Sequence, residues 1–246
     1  MAKVKACYIN ILETSTVTLT LGTEDVAFPL YRLYDRECSD LFKITAAATF
    51  QIKVNQGAIK AIDRLLIPAG HNLSGLTLTF SYSDYDADDY SQVEQWTQSG
   101  NALIDIPLDS SMTHKYWKLT VASPSAIPQI PELFLTSTYE FERNPSRPCD
   151  KDKRFNVERL QEAGGQPRYI KHGEPRAYRL YALPRMTAAQ STNIQVLNDA
   201  WDGCKPFFLC DHNGVWLFGE LLSPIGLAEE SSDKDSCTLE FQEIPA

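Results

Sequence analysis

"AIDRLLIPAGHNLSGLTLTFSYSD" occupies residues 61–84, and its reading decides the fold. A mostly apolar segment, AIDRLLIP, stops at Gly70-His71-Asn72-Leu73. It gives way to LTLTFSYS, in which apolar and polar residues alternate. Alternation puts successive side chains on opposite faces, so LTLTFSYS is a strand with one buried and one wet face. Asn72 and Gly75 suit the positive-φ positions of a turn, so residues 70–75 join two strands. His71 then stands at the rim of a sheet. It is either a ligand-binding side chain or a ring whose nitrogens satisfy loop backbone groups, and the second is commoner for a lone histidine.

The same pattern extends outward. STVTLTL (15–21), ATFQIKV (48–54), YWKLTVA (116–122) and ELFLTSTYEFE (132–142) read as further strands. Turn-rich GTED, SDYDADDYSQ, LDSSMTH and SPSAIPQIP separate such segments. Many short strands with turns between them imply a β-sandwich or barrel. Residues 142–154, ERNPSRPCDKDKR, are polar with two prolines and read as a domain exit. The expected organisation is therefore mainly β: residues 1–145 as one domain and residues 146–246 as a second with a single helix at about 187–202. That helix has a capping-box start at Thr187-Ala188-Ala189-Gln190. Ile194, Leu197 and Trp201 share one face, and Gly203 stands at the C-terminal cap position. Asn213-Gly214 marks a tight hairpin between PFFLCD and GVWLFGELL.

Composition narrows the function. The 246 residues are 43% hydrophobic and carry a net charge of −9, with no Lys/Arg-dense block. Phosphate contacts dominate nucleic-acid affinity, so an acidic chain without a basic stripe is not expected to bind nucleic acid. No apolar run reaches a membrane-spanning length, and MAKVKACYINIL lacks the features of a signal peptide. The six cysteines form no C-x-x-C pair and read as reduced and mostly buried. Metalloprotease, nucleophile-elbow, P-loop and dinucleotide motifs are all missing, so no catalytic residue, cofactor or metal is assigned. Cys204, Cys210 and His212 do not have zinc spacing. Asp84, Asp86 and Asp88 occupy positions 1, 3 and 5 of an EF-hand-like loop. Position 6 is Asp89 and position 12 is Gln95, so the loop reads as solvated, with a looser calcium site as the alternative. Tyr82, Tyr85, Tyr90 and Trp96 gather around that loop, and aromatic faces are what sugar platforms use. His71, Asn72, Tyr85, Tyr90 and Trp96 are therefore the candidate ligand-binding residues. Residues 164–185 hold Arg168, Lys171, Arg176, Arg179 and Arg185, a basic island in an acidic chain. Arg168, Tyr169, Arg176, Tyr178 and Arg179 are the candidate subunit-contact residues, because opposite patches set register between copies.

Two resemblances add to this. FPLYRLYDRECSDLFKITAAATFQIKV, followed by the opening quotation, resembles the start of galactose-binding-like (discoidin-type) jelly rolls over residues 1–145. LNDAWDGCKPFFLCDHNGVWLFGELLSPIGLAEESSDKDSCTLEFQEI is similar to the C-terminal part of phage tail-tip proteins of the distal-tail type. Together they imply a non-enzymatic virion structural protein of a tailed phage, made in the bacterial host cytoplasm. It would be a tail-tip or baseplate ring component, sixfold favoured over threefold, contacting other tail proteins and a host surface glycan. The alternative is a lectin-like carbohydrate-binding module protein.

Overall fold

The computed structural model describes residues 3–37, 40–85, 89–122, 124–146, 150–154, 157–161, 167–171, 175–231 and 234–244. Among the described residues, twenty strands and one α-helix form two compact units, Cys7–Tyr139 and Met1–Ala6 with Glu140–Pro245. In chain order β1 is Lys5–Cys7, β2 Ser15–Leu21, β3 Phe42–Lys43, β4 Phe50–Gln56, β5 Ile62–Ile67, β6 Thr77–Ser83 and β7 Ser91–Thr97. They are followed by β8 Ile104–Met112, β9 Tyr116–Ala122, β10 Gln129–Ile130, β11 Phe134–Thr136 and β12 Tyr139–Glu140. Then come β13 Asp150–Arg154, β14 Val157–Gln161, β15 Pro167–Lys171 and β16 Arg176–Met186, the helix α1 Ala188–Trp201, and β17 Phe207–Cys210, β18 Trp216–Leu221, β19 Leu227–Ser231 and β20 Lys234–Glu243.

The first unit is a jelly-roll sandwich. One sheet has the order β2-β4-β9-β6-β7, the other β11-β5-β8, and the paired strands are antiparallel. The chain crosses between the sheets at β4–β5, β5–β6, β7–β8 and β8–β9. Alternation explains the core. Phe50, Ile52 and Val54 of β4, Leu78 and Phe80 of β6, and Trp117, Leu119 and Val121 of β9 all point inward and are buried. Phe80 and Trp117 stack at 5.1 Å between centroids. The small β3–β10 pair and two one-turn 3₁₀ helices, Ile11–Thr14 and Leu30–Leu33, add Phe42, Ile130, Ile11, Leu12 and Leu33 to this core.

The second unit is built on an eight-stranded sheet, β12-β1-β17-β18-β20-β16-β13, with β19 also on β20; β14 and β15 form a separate hairpin. The compact units divide between Tyr139 and Glu140, so the polar segment 142–154 falls within the second unit. Asp150–Arg154 pairs with β16 from Asp150↔Leu180 to Arg154↔Arg176, inside this unit. The N-terminal strand also belongs here: the Phe141 amide donates to the Val4 carbonyl (3.0 Å), the Val4 amide to Asn144 Oδ1 (3.1 Å), and Lys3 pairs with Glu140 (3.0 Å). Helix α1 starts where its cap predicts. The Gln190 amide donates to Thr187 Oγ1 at 3.2 Å, and Thr187 Oγ1 donates to the Glu142 carboxylate. At the other end Asp202 and Gly203 both take positive φ (49° and 81°) and stop the helix. Ile194, Leu197 and Trp201 are buried, Trp201 with 7% of its surface exposed. No helix among the described residues is long and apolar enough to cross a membrane.

Candidate functional site

The candidate ligand residues do not form one site. His71 and Asn72 precede β6, whereas Tyr85 follows it, and a seven-residue strand separates them by roughly 20 Å. His71 is architectural. It is 2% exposed; the Leu73 amide donates to Nδ1 at 3.2 Å, so Nε2 carries the proton and donates to the Ala102 carbonyl at 2.8 Å. Asn72 sews the same turn to its neighbour, donating from Nδ2 to the Ile127 carbonyl (2.9 Å) and accepting the Gln129 amide on Oδ1 (2.7 Å). Trp96 lies opposite Leu78 on edge strand β7 and packs, half-buried, against the core. The Tyr90 ring lies under the ammonium groups of Lys118 (4.0 Å) and Lys53 (5.4 Å), which face each other across β9 and β4. Asp86 and Asp88 of the acidic loop lie outside the described residues. No group of three metal-ligating side chains occurs among the described ones.

Burial pushes the pKa of His71 below its ordinary value of 6.5, outweighing the bond to Ala102. A depressed histidine keeps its neutral form in the fold, while the unfolded chain takes up the proton near pH 6.5. The contribution is therefore in place above about pH 6.5 and is lost as the pH falls toward the folded-state value. Urea unfolding between pH 5 and 8 should show this acid-side loss in wild type. His71→Gln should be less stable at pH 8 and show a shallower acid-side slope; an unchanged slope would assign the loss to other groups.

Tyr85 leads to a better-formed site at the opposite end of the sandwich. Pairing of β6 with β9 sets Ser83 against Tyr116, so the residues just beyond each strand meet. His114 Nδ1 lies 2.9 Å from Asp84 Oδ1. A carboxylate only accepts, so the imidazole donates from Nδ1 and its Nε2 faces away from Asp84. The ring stacks on Tyr82 at 3.6 Å and meets Trp117 edge-on at 5.6 Å, while Trp117 Nε1 donates to the His114 carbonyl (3.1 Å). Orientation is thus fixed by two aromatic contacts and one charged hydrogen bond. Tyr85 follows Asp84 in the chain and has 79% of its surface exposed. Its backbone is held by Ser83, whose Oγ donates to the Tyr85 carbonyl (2.6 Å) and accepts its amide (3.1 Å).

A buried glutamine ties the next loop to the same place. Gln56 donates from Nε2 to the His114 carbonyl (3.2 Å) and accepts the Lys60 amide on Oε1 (2.7 Å). Lys60 in turn stands on the rim of a cavity of about 350 Å³ walled by Tyr8, Ile9, Ile11, Ala61 and Tyr139. His114 and Asp84 were not singled out together by sequence. Their signal was positional: one residue precedes YWKLTVA, the other follows LTLTFSYS, and those two strands are neighbours.

The basic run behaves differently from a free patch. Tyr178 is buried under the Arg154 guanidinium at 3.5 Å. Arg179, 12% exposed, reaches toward the buried Asp211 carboxylate at 3.8 Å. Arg176 is half-buried opposite Arg154. Arg168 and Tyr169 hold backbone positions in β15 opposite Leu160 and Arg159, and their side chains lie outside the described residues.

No family model matches the sequence, and no curated protein matches it. Among solved structures, the family 32 carbohydrate-binding module from C. perfringens NanJ in complex with galactose is 15% identical, covering 54% of this chain and 99% of that one at a TM-score of 0.46. Chitosan-binding module 1 from a Paenibacillus chitosanase/glucanase is 17% identical over 52% and 99%, at 0.45. A Ruminococcus gnavus fucosidase in complex with fucose is 15% identical over 53% of this chain, at 0.46, and the match spans 27% of that enzyme's length. None of these supports a place in a phage tail. All three fall below a TM-score of 0.5 and match about half of this chain.

Proposed function

We propose that the first unit binds a glycan at the end that carries His114, Asp84 and Tyr85. The observation that supports this is the combination of an imidazole held in one orientation by Asp84 with a largely exposed tyrosine that follows Asp84 in the chain. Sugars present a C–H face that packs on an aromatic ring and hydroxyls that need directed partners, and a site offering both is suited to them. Asp84 accepts from hydroxyls and Nε2 of His114 offers a second hydrogen-bonding group; the Tyr85 ring supplies the stacking face. The carboxylate and imidazole have no nucleophile paired with them among the described residues, so the role is recognition.

A glycan array followed by titration calorimetry tests this. Tyr85→Ala and His114→Ala should each weaken binding by at least about tenfold, which corresponds to 1.4 kcal/mol. Tyr85→Ala should leave the unfolding midpoint unchanged, because its side chain is exposed. Glycan binding that survives both substitutions, or no glycan binding at all, would overturn the proposal.

A further inference from the structure

We propose that the first unit pairs with a second copy of itself through strand β2, edge to edge and antiparallel, about a two-fold axis at Val17. The proposal is independent of the glycan reading. It rests on an unguarded strand edge, on core residues left half-covered there, and on the self-complementarity of the strand.

β2 ends its five-stranded sheet and pairs on one side, with β4. Among the described residues, no backbone hydrogen bond leads from residues 16–21 to any partner outside β4. Every second residue of such an edge turns its N–H and C=O outward, which makes the edge a template for another strand. Proteins ordinarily guard these edges with charge, proline or a bulge. The other described edge strands of five or more residues are guarded in this way. β7 has Glu94 at its midpoint, β8 carries Pro107, β13 reads DKDKR, and β14, β15 and β19 each hold charged residues. β2 reads STVTLTL, with no charge and no proline. Its one irregularity falls between Leu19 and Leu21 and leaves Ser15–Leu19 in regular register.

The residues of β2 select the occupant. Thr16 and Thr18 are exposed on the outer face. Val17 and Leu19 pack against the core yet stay half-buried, because no strand lies beyond β2 to cover them. Antiparallel pairing about Val17 sets Val17 against Val17 of the second copy, Thr16 against Thr18, and Ser15 against Leu19. Threonine then faces threonine on the wet side, a favourable cross-strand pair, and valine faces valine on the core side. No charged side chain meets its like across the pairing, although each chain carries a net charge of −9. The same operation on β7 would set Glu94 against Glu94, which is destabilising. A two-fold contact uses one patch on both copies, and a strand that matches its own reverse supplies that patch. A single strand edge is a small interface, so the dimer is weak and reversible.

Sedimentation equilibrium on the full chain tests this. The wild-type mass should rise from monomer toward dimer as concentration increases to about 1 mM. Thr16→Lys with Thr18→Lys sets lysine against lysine at both symmetric positions and should leave a monomer at every concentration. Thr16→Glu with Thr18→Lys sets glutamate against lysine at the same positions and should keep the dimer. Both double variants change the same two exposed residues, so a general loss of stability would affect them alike, and their unfolding midpoints check this. A wild type that stays monomeric throughout, a dimer that survives the double lysine, or equal masses for the two double variants would overturn the proposal.

Discussion

Gly219→Ala is expected to unfold the second unit, or to lower its stability by at least about 3 kcal/mol, the upper part of the usual overpacking range. Gly219 lies in β18 with partners on both sides, Phe207 on β17 and Glu243 on β20. A Cβ there would collide with the Gln242 carbonyl oxygen and lie 2.7 Å from Phe241 Cζ and 2.8 Å from the Gln242 carbonyl carbon. Two of those atoms are backbone, and they belong to the strand that β18 must pair with. A side chain could rotate away; the ladder cannot move without giving up its own hydrogen bonds. Phe241 is itself fixed edge-on against Phe207 at 5.3 Å. A loss of this size is a large share of a total stability of roughly 5–15 kcal/mol. Gly226→Ala is the control, because its added carbon meets nothing within 4 Å. Urea unfolding followed by tryptophan fluorescence should separate the two variants. A Gly219→Ala midpoint equal to that of wild type would show that β18 and β20 do not approach as described.

Arg36→Met should cost the first unit about 3–5 kcal/mol, the range for removing one partner of a buried ion pair. Arg36 is held in the left-handed region, φ 63°, with its guanidinium almost wholly buried. It donates to Glu13 Oε1 at 2.5 Å and to the Tyr8 carbonyl at 3.0 Å, and lies 5.3 Å over the Phe134 ring. Its own amide donates to Glu132 Oε2 at 3.1 Å. Glu132 is fully buried. Burial, and then the Asp35 carboxylate, push its pKa well above the ordinary 4.5, against the pull of the Arg36 amide and guanidinium; Glu13 adds a smaller upward push. A carboxyl raised in the fold holds its proton there more tightly than in the unfolded chain. Its contribution is therefore complete below about pH 4.5 and is lost as the pH rises through the folded-state value. Glu132→Gln keeps the shape without the titration. It should be stabilised relative to wild type increasingly as the pH rises, while Arg36→Met is destabilised throughout. A wild-type minus Glu132→Gln difference that is flat from pH 4 to 9 would contradict this account of Glu132.

The strands that alternation identified are those with one face on the core. STVTLTL became β2, LTLTFSYS became β6 without its first residue, and YWKLTVA became β9. Edge strands left weaker traces. β8, IDIPLDSSM, carries Pro107 and a polar half that reads as a turn, and it lies at the open edge of the three-stranded sheet, where a missing amide is tolerated. β7 is exposed along most of its length for the same reason. ELFLTSTYEFE looked continuous but splits after Thr136, β11 joining one sheet and β12 another. Periodicity reports which face is dry, not which sheet a strand enters. The same limit hid the candidate site. Asp84 and His114 are thirty positions apart, and only the register of β6 on β9 brings them together. Tyr85, singled out for its aromatic ring, is exposed, whereas composition could not tell that His71 spends its ring nitrogens on the Leu73 amide and the Ala102 carbonyl.

The place of β1 has a consequence for synthesis. β1 and β12 are adjacent in the eight-stranded sheet, so the whole jelly roll is inserted between two neighbouring strands. A ribosome adding about 5–20 residues per second finishes the jelly roll about 3–14 seconds before β17, the other neighbour of β1, emerges. During that interval β1 has β12 as its one available strand neighbour and lacks β17, while the module between them already has every strand it needs. The inserted unit can therefore fold on the nascent chain before the unit that encloses it closes by pairing β1 with β17.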